Sequence, residues 1–319
     1  MTSLSVNRLA WKLLARLFDD QEYYGVKIEK TGSGTILVDA GVEAKGGFET
    51  GRLITEICMG GCGKASITGK QYGKLELPTM SIYTDHPVTA TLGSQYAGWQ
   101  IREGDYFAIG SGPARALAQK PKRIFEEIGY KDSFDKAVIV LEAEAHPSDK
   151  LIEGFAADCH ISPENLAVII TPTTSLAGMV QIAGRIIETG VHKLRKLGLT
   201  PNRILYAWGW APIPPLHPEF TEAMARSNDA ILYGGTAFYT VEYDDEEKLR
   251  RIVENAPSKA SRNYGKPFIE IFKEANSDFY KVDSSLFAPA AIVVCNNRTG
   301  RVFRAGEINP EILARSFGF

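Results

Sequence analysis

Helical and strand periodicities follow one another along the chain. After Ser5, leucines recur three or four residues apart, and this spacing predicts an amphipathic helix over residues 6–18. Short apolar runs predict strands at 35–39, 137–141 and 166–170. Strands that alternate with helices are typical of α/β proteins, so we predict an α/β fold.

The C-terminal half follows these periods less regularly. Residues 208–218 hold four prolines and two tryptophans, which favours an ordered loop over a regular element. A strand pattern resumes at 231–241. The acidic run at 244–247 is interpreted as a solvated turn before a helix.

The length of 319 residues exceeds the usual size of one hydrophobic core, so two domains are expected. We place a first α/β domain with glycine-rich loops at 1–165, and we allow for the C-terminal segment, about 257–319, packing on it. The second α/β domain is placed at 166–256.

Charge and composition exclude several kinds of partner. The chain carries 36 Lys and Arg against 38 Asp and Glu, so it has no strong field that would attract nucleic acid. The longest apolar runs have the length of strands, so no membrane segment is expected. Four cysteines and the lack of a secretory signal pattern predict a cytoplasmic protein.

One long helix is predicted over residues 176–197. Its apolar side chains share one face, and a polar group lies on the opposite face: Gln181, Arg185, Glu188 and His192. Arg185 and Glu188 stand three residues apart, close enough to interact. The polar face fits either an active-site wall or a solvated surface with an ordinary ion pair.

Residues 110–115 form a glycine turn that leads into a predicted helix starting at Ala114. Such a turn presents backbone donors to an anion, and Arg115 adds charge, although a purely structural turn fits equally well. Arg262 and Lys266 are a second basic candidate for an anion site, and a purely structural role fits them equally well.

Two other candidates carry little chemistry. Cys58 and Cys62 lack the second cysteine or histidine pair of a zinc site, so thiols that are buried or in a loop are expected there. His86, between Asp85 and Pro87, is typical of a turn held by local hydrogen bonds, and it is kept as a possible substrate-cleft residue.

Several longer blocks can be compared with known families. The block QIAGRIIET at 181–189, preceded by TPT at 171–173, contains Arg185 and Glu188. The other blocks, in chain order, are CMGG (58–61), TDHP (84–87), LGSQ (92–95), AGWQ (97–100), GSGPARAL (110–117), SR (261–262), YGKPF (264–268) and LFAPA (286–290). Together they resemble, in the same order from Leu4 to about Phe319, the methenyltetrahydromethanopterin cyclohydrolases. The aromatic stretch at 208–211 departs from that pattern and leaves its substrate contacts open.

The resemblance implies two α/β domains with a pterin in a cleft between them, assembled as a homotrimer. It implies catalytic roles for Arg185 and Glu188. It also implies a set of substrate contacts, which are Ser94, Gln95, Gly110, Ser111, Arg115, Gln181, Arg262 and Lys266.

The implied reaction hydrates a cationic methenyl bridge to a formyl group. That bridge is already electrophilic, so no metal and no cofactor beyond the tetrahydromethanopterin substrate is expected. Glu188 would accept a proton from water and return it to the departing nitrogen. Arg185 stays protonated and would orient Glu188, water or substrate.

Three alternatives belong to other functional classes. A catalytically silent pterin-binding protein would not need Arg185 and Glu188 together. A small-molecule kinase would use a glycine loop such as 110–114, but the Walker lysine is missing. A nicotinamide-dependent pterin dehydrogenase would need a dinucleotide fingerprint, and none fits well.

Overall fold

The computed structural model describes residues 4–319 apart from the side chain of Tyr280. Its strands are β1 (Lys27–Lys30), β2 (Ile36–Asp39), β3 (Lys64–Tyr72), β4 (Leu75–Thr84), β5 (Trp99–Glu103), β6 (Tyr106–Ser111), β7 (Ala137–Glu142), β8 (Leu166–Ile170), β9 (Ile204–Pro212), β10 (Thr236–Val241), β11 (Ala291–Asn296) and β12 (Val302–Gly306).

The helices complete the α/β fold that the sequence predicts. They are α1 (Val6–Asp19), α2 (Gln21–Tyr24), α3 (Phe48–Cys58), α4 (Pro87–Ala90), α5 (Ala114–Ala118), α6 (Lys122–Ile128), α7 (Asp149–Asp158), α8 (Leu176–Ala183), α9 (Ile186–Lys196), α10 (Phe220–Gly234), α11 (Glu246–Glu254), α12 (Phe268–Glu274) and α13 (Pro310–Phe317). A π-helical turn, Thr91–Gln95, follows α4.

The most regular patterns in the sequence give the expected elements. Helix α1 begins after Ser5, whose hydroxyl accepts a hydrogen bond from the amide of Arg8, and strands β2, β7 and β8 lie where apolar runs predict them. Helix α11 begins within the acidic run, at Glu246, and the Asp245 side chain caps it by accepting a hydrogen bond from the amide of Lys248.

Outside residues 176–197, three predicted elements are wrong. Strand β9 occupies the first part of 208–218, and only the residues after Pro212 form a loop. Residues 231–234 end helix α10, so the strand predicted for 231–241 begins only at Thr236. Gly110 and Ser111 belong to strand β6 and not to a turn.

The chain divides into two compact units whose limits differ from the predicted domains. Unit 1 contains the chain up to Lys64 together with Val88–Gln181, and unit 2 contains Ala65–Pro87 and Ile182–Phe319. The C-terminal segment therefore belongs to the unit that carries Arg185 and Glu188. The predicted cleft between domains stays a prediction.

Unit 1 is a sheet covered on both faces. The strand order is β1-β2-β8-β7-β6-β5, with β2, β8 and β7 parallel. Helices α1 and α3 pack on one face and α5 and α7 on the other, because alternate strand residues such as Val138 and Ile139 point to opposite faces. At the end of β2 the buried Asp39 accepts hydrogen bonds from four successive backbone amides, those of residues 41–44.

Unit 2 is a mixed sheet with helices packed on one face. The order is β12-β11-β10-β9-β4-β3, and only β10 and β11 run parallel among the described strand pairs. Helices α9 and α10 pack on β9 and β10, with α12 and α13 beyond α10. The fully buried Asp229 of α10 accepts hydrogen bonds from the amide of Phe268 and the hydroxyl of Ser316 and so ties α10 to α12 and α13.

The opposite face of the second sheet is aromatic. Cross-strand neighbours Tyr83, Trp208, Phe238 and Val293 form one row over β4, β9, β10 and β11, and Trp208 stacks on Phe238 with ring centroids 4.9 Å apart. Tyr83 and Trp208 are 55% and 43% exposed, and the row borders a groove of about 320 Å³. We call this surface the open aromatic face.

Among residues 4–319, no helix has both the length and the apolar character needed to cross a membrane.

Candidate functional site

Arg185 and Glu188 lie where one helix ends and another begins. The single helix predicted for 176–197 is wrong, because Gly184 and Arg185 form a turn between α8 and α9. The backbone of Arg185 has φ −88° and ψ 4°, and its amide donates to the carbonyl of Ile182 over 2.9 Å. Glycine lowers helix stability at this point, which explains why the helix ends there.

Glu188 occupies the first turn of α9, where the positive end of the helix stabilises a carboxylate. The amide of Thr189 donates to the carbonyl of Arg185 over 2.8 Å and closes this turn. Arg185 and Glu188 are each only 7% exposed, so the interpretation as a solvated surface is wrong. A buried Arg and Glu in adjacent turns are suited to acid–base chemistry.

Gln181 lies at the end of α8 and is 1% exposed. It is the last residue of unit 1, four residues before Arg185. The QIAGRIIET block therefore covers the point at which the chain passes from one unit to the other.

Ser94 and Gln95 lie in the π-helical turn of unit 1, and both side chains are fully buried. The Ser94 hydroxyl donates to the carbonyl of Cys58 over 2.6 Å, and the carbonyl of Ser94 accepts from the amide of Gly112 over 3.0 Å. Short π-helical turns are found frequently at functional sites.

Arg115 stabilises this π-helical turn through hydrogen bonds to its backbone. Its guanidinium is fully buried and donates to the carbonyls of Leu92 and Ser94 over 3.2 and 3.0 Å. It lies 5.2 and 5.3 Å from the ring centroids of Tyr96 and Phe125, which favour a cation. Arg115 thus has a structural role, and direct contact with substrate stays a prediction.

The glycine turn predicted for 110–115 is reduced to Gly112 and Pro113 between β6 and α5, and its backbone is internally bonded. Gly110 packs closely, since a Cβ there would lie 3.2 Å from the carbonyl oxygen of Trp99. Ser111 is 1% exposed, and its hydroxyl lies 3.8 Å from the sulfur of Cys58. The amide of Gly112 donates to Ser94 and that of Arg115 to Gly112, so both are already used within the protein.

The structure therefore brings Ser94 and Ser111 to Cys58, and Arg115 to the backbone of Ser94, within unit 1. In unit 2 it links Arg262 to α9 through a small polar network. The buried Lys193 of α9 donates to the carbonyl of Ser285 over 2.7 Å.

The centre of that network is Asp283. Its carboxylate accepts hydrogen bonds from the hydroxyls of Ser261 and Ser285 and from the amide of Arg262. The Ser285 hydroxyl is the largest cause that lowers the pKa of Asp283, to about 2, and burial acts in the opposite direction. Burial lowers the pKa of Lys193. Asp283 therefore stays ionised beside a buried amine.

Arg262 and Lys266 differ in their surroundings. Lys266 pairs with Glu274, whereas the exposed guanidinium of Arg262 has no ion pair or hydrogen bond to the residues that the structure describes. Arg262 is therefore the more available of the two cations for an anionic group.

The two other sequence candidates lie in ordinary surroundings. His86 is exposed, and its amide donates to the Thr84 hydroxyl over 3.0 Å, which confirms a locally bonded turn. Cys58 and Cys62 are buried free thiols, and burial raises the pKa of Cys62 to about 12. Within residues 4–319, no group of three or more His, Cys, Asp or Glu side chains could hold a metal ion.

Tyr239 was missed by the sequence reasoning. It lies on β10 and is 2% exposed, and its hydroxyl donates to the carbonyl of Ile187, next to Glu188, over 2.9 Å. The only signal in the sequence is Gly190, whose lack of a side chain leaves room for the phenol.

Comparisons with known proteins agree with the motifs over the whole chain. The family model described as cyclohydrolase (MCH) matches residues 5–317. The methenyltetrahydromethanopterin cyclohydrolase of Methanothermobacter marburgensis is 44% identical over 318 residues, 99% of each chain. Those of Methanocaldococcus jannaschii and Methylobacillus flagellatus are 42% and 44% identical, over 99% of this chain and 99% and 96% of their own. The chain therefore belongs to the methenyltetrahydromethanopterin cyclohydrolase family.

Proposed function

We propose that this protein reversibly hydrolyses 5,10-methenyl-tetrahydromethanopterin to 5-formyl-tetrahydromethanopterin. The relatives carry that activity in their names, and identity extends over almost the full length of the chain. The observation that carries the assignment to residues is the buried turn that presents Arg185 and Glu188 at the start of α9.

Glu188 acts as the proton relay in this proposal. Water adds to the methenyl carbon, and the carboxylate takes one of its protons as the new carbon–oxygen bond forms. The carboxyl group then gives that proton to the departing nitrogen as the carbon–nitrogen bond breaks. The hydroxyl of the adduct loses the second proton of the water to solvent as its oxygen becomes the carbonyl of the formyl group on the other nitrogen, so one proton is released in each turnover. Glu188 returns to its ionised form at the end of each cycle.

Arg185 orients the reacting groups. A guanidinium stays protonated at any working pH, so it is unsuited to carry the proton. Its five donors can fix a carboxylate, a water molecule or a polar group of the pterin. The turn formed by Gly184 and Arg185 fixes the backbone from which the side chain starts.

The remaining candidates are proposed as substrate contacts or as supports for them. Ser94, Gln95, Gly110, Ser111 and Gln181 supply polar or close-packing groups in unit 1. For an anionic part of the pterin tail the structure favours Arg262, with Lys266 nearby in sequence, because the guanidinium of Arg262 is exposed whereas that of Arg115 is enclosed by protein.

We propose that the reaction needs no metal and no second cofactor. The methenyl bridge is a cationic amidine carbon and already accepts a nucleophile, so the protein has only to aim and deprotonate water. We also propose a cytoplasmic location, which the four free thiols support.

The decisive experiment follows the loss of methenyl absorbance with purified protein, with methenyl-tetrahydrofolate in parallel and a chelator in both. We expect fast, chelator-resistant turnover of the methanopterin substrate. Glu188→Gln should lower kcat by about 10²–10⁴-fold while the protein still folds and binds substrate. Glu153→Gln, a change at an exposed glutamate of α7, is the matched control and should turn over normally.

Two outcomes would contradict these assignments. Wild-type turnover by Glu188→Gln would remove Glu188 from catalysis. Folded wild-type protein that binds the pterin without accelerating hydrolysis would support a silent binding protein instead.

We further propose that the protein forms a homotrimer and that the open aromatic face lies in a contact between copies. Monomeric proteins rarely expose large contiguous apolar patches, and aromatic side chains with few charges are typical of the cores of subunit interfaces. Of the residues that line the groove, Asp85 is the only acidic or basic one. A second copy of the chain is therefore a fitting occupant.

Light scattering after size-exclusion chromatography tests this contact. The wild type should have the mass of three chains, and Trp208→Lys should shift it toward one. Tyr23→Lys, at an exposed aromatic residue of α2, should leave the mass unchanged. A Trp208→Lys protein with the wild-type mass would place the contact elsewhere, and a monomeric wild type would exclude the trimer.

A further inference from the structure

The hydroxyl of Tyr239 meets helix α9 beside the proposed proton relay. Tyr239 extends from β10 toward the helices, on the face opposite its neighbour Phe238. Its hydroxyl donates to the carbonyl of Ile187 over 2.9 Å, one residue before Glu188. The contact therefore lies on the backbone of the turn that carries Glu188.

Gly190 makes this approach possible. A Cβ at residue 190 would lie 2.0 Å from the Tyr239 hydroxyl oxygen and 2.9 Å from Cζ of the ring. Contacts this short do not occur, so any side chain there would push the helix and the phenol apart. The distance between α9 and β10 is thus set by a tyrosine hydroxyl resting on a glycine, two residues after Glu188.

The hydroxyl stays protonated under all ordinary conditions. Burial raises the pKa of Tyr239 well above its usual value, and the charge of Glu188 raises it further, whereas the backbone amide of Val191 acts in the opposite direction. Tyr239 is therefore a permanent donor to the Ile187 carbonyl and does not exchange protons with Glu188.

We propose that Tyr239 is a positioning residue for Glu188. Its hydrogen bond to the Ile187 carbonyl and its close packing against Gly190 fix the distance of the first turn of α9 from β10 and the rotation of that turn about the helix axis. This inference rests on the proposed role of Glu188. It matters for rate because a proton relay must reach both water and nitrogen, and a displacement of about 1 Å at a catalytic group can cost about a hundredfold.

The same sheet supplies a matched control. Tyr72 on β3 is also fully buried, and its hydroxyl shares a hydrogen bond of 3.0 Å with the hydroxyl of Thr79 on β4. Tyr72→Phe removes one buried hydroxyl from the same unit without touching α9. Any loss of activity that comes only from lower stability should therefore appear in Tyr72→Phe as well.

The experiment is a double-mutant cycle with kcat and KM measured per folded protein well below the melting temperature. Tyr239→Phe should lower kcat by about tenfold and leave KM within about twofold, since the substrate contacts are unchanged. Gly190→Ala should lower kcat by about a hundredfold. Combined with Tyr239→Phe, Gly190→Ala should cost clearly less, because the clashing oxygen is gone. Tyr72→Phe should keep the wild-type kcat.

Each contrary result has a separate meaning. A Tyr239→Phe enzyme with wild-type kcat, or a Gly190→Ala effect of equal size in both backgrounds, would overturn the positioning role. An equal loss of kcat in Tyr72→Phe would show a general effect of lower stability and would also overturn the positioning role. Glu188→Gln is measured alongside: if it keeps turnover, both roles fall, and if it loses turnover while Tyr239→Phe does not, only the positioning role falls.

Discussion

Two buried polar groups of unit 1 and two of unit 2 are held in opposite electrical states. In unit 1, Arg115 and Asp39 are buried as charges, and protein groups surround each of them: carbonyls and aromatic rings for Arg115, four amides for Asp39. In unit 2, Tyr239 and Asp229 are buried in surroundings that favour their neutral forms. The π-helical turn of unit 1 is thus held by a buried cation, whereas in unit 2 the contact with the Ile187 carbonyl uses an uncharged phenol.

The two aspartates show the physical reason. Burial acts to raise the pKa of Asp39, but four backbone amides outweigh it and hold the pKa below its usual value. Burial also raises the pKa of Asp229, and there the Ser316 hydroxyl and one amide are too few to compensate, so the pKa is about 8. The number of donors decides which form is buried.

Removing the charge of Arg115 should give the largest loss of stability. Arg115→Met leaves the carbonyls of Leu92 and Ser94 buried without their donor, and loss of a partner in a buried charged network costs about 3–5 kcal/mol. Urea unfolding should show this loss. Arg115→Lys keeps the charge without the forked donors and should lose less. A Met variant as stable as the wild type would refute the structural role of Arg115.

Removing the charge of Asp39 should have the next largest effect. Asn offers one acceptor oxygen in place of two, so Asp39→Asn should lower the free energy of unfolding by about 2 kcal/mol at pH 7. Because the folded pKa is lowered, this stabilisation is present above about pH 4 and is lost as the pH falls further. Asp105→Asn, at an exposed aspartate, is the control. A pH-independent difference would count against an ionised Asp39.

Asp229 should give the smallest change and the opposite pH dependence. Its folded pKa of about 8 lies above the unfolded value, so its contribution to stability is greatest below about pH 4 and declines as the pH rises to about 8. Asp229→Asn mimics the protonated acid and should cost about 1 kcal/mol or less at pH 6.

The test of that sign is a series of thermal or urea unfolding curves between pH 5 and pH 9. The stability of Asp229→Asn relative to the wild type should improve steadily as the pH rises. If it instead worsens with rising pH, Asp229 is buried as an anion and the contrast between the units disappears.

Local periodicity predicts the elements whose apolar residues are buried between the sheet of unit 1 and its helices. Helix α1 and strands β2, β7 and β8 have their apolar residues where a covered sheet needs them. Strand β9 was misread because its pattern is inverted: Tyr206, Trp208 and Trp210 point to the open aromatic face, and small residues such as Gly209 point to the helices.

The limits of the two units depend on pairing that local patterns do not contain. Strand β4 pairs with β9, and β2 pairs with β8, in each case across more than a hundred residues. The motif residues of the candidate site came from resemblance to a family. Tyr239 did not, because its contact with the Ile187 carbonyl joins residues 52 positions apart and left no trace except a glycine in a helix.

The interleaved connectivity of the two units has a consequence during synthesis on the ribosome. Unit 1 is complete in the nascent chain once Gln181 has emerged, but the β3–β4 hairpin of unit 2 emerges before most of unit 1. Its partner β9 follows Thr84 by roughly 120 residues, which at about 5–20 residues per second means a delay on the order of ten seconds. During that time β4 presents an unpaired edge, so this hairpin is the segment on which we expect a nascent-chain chaperone to act.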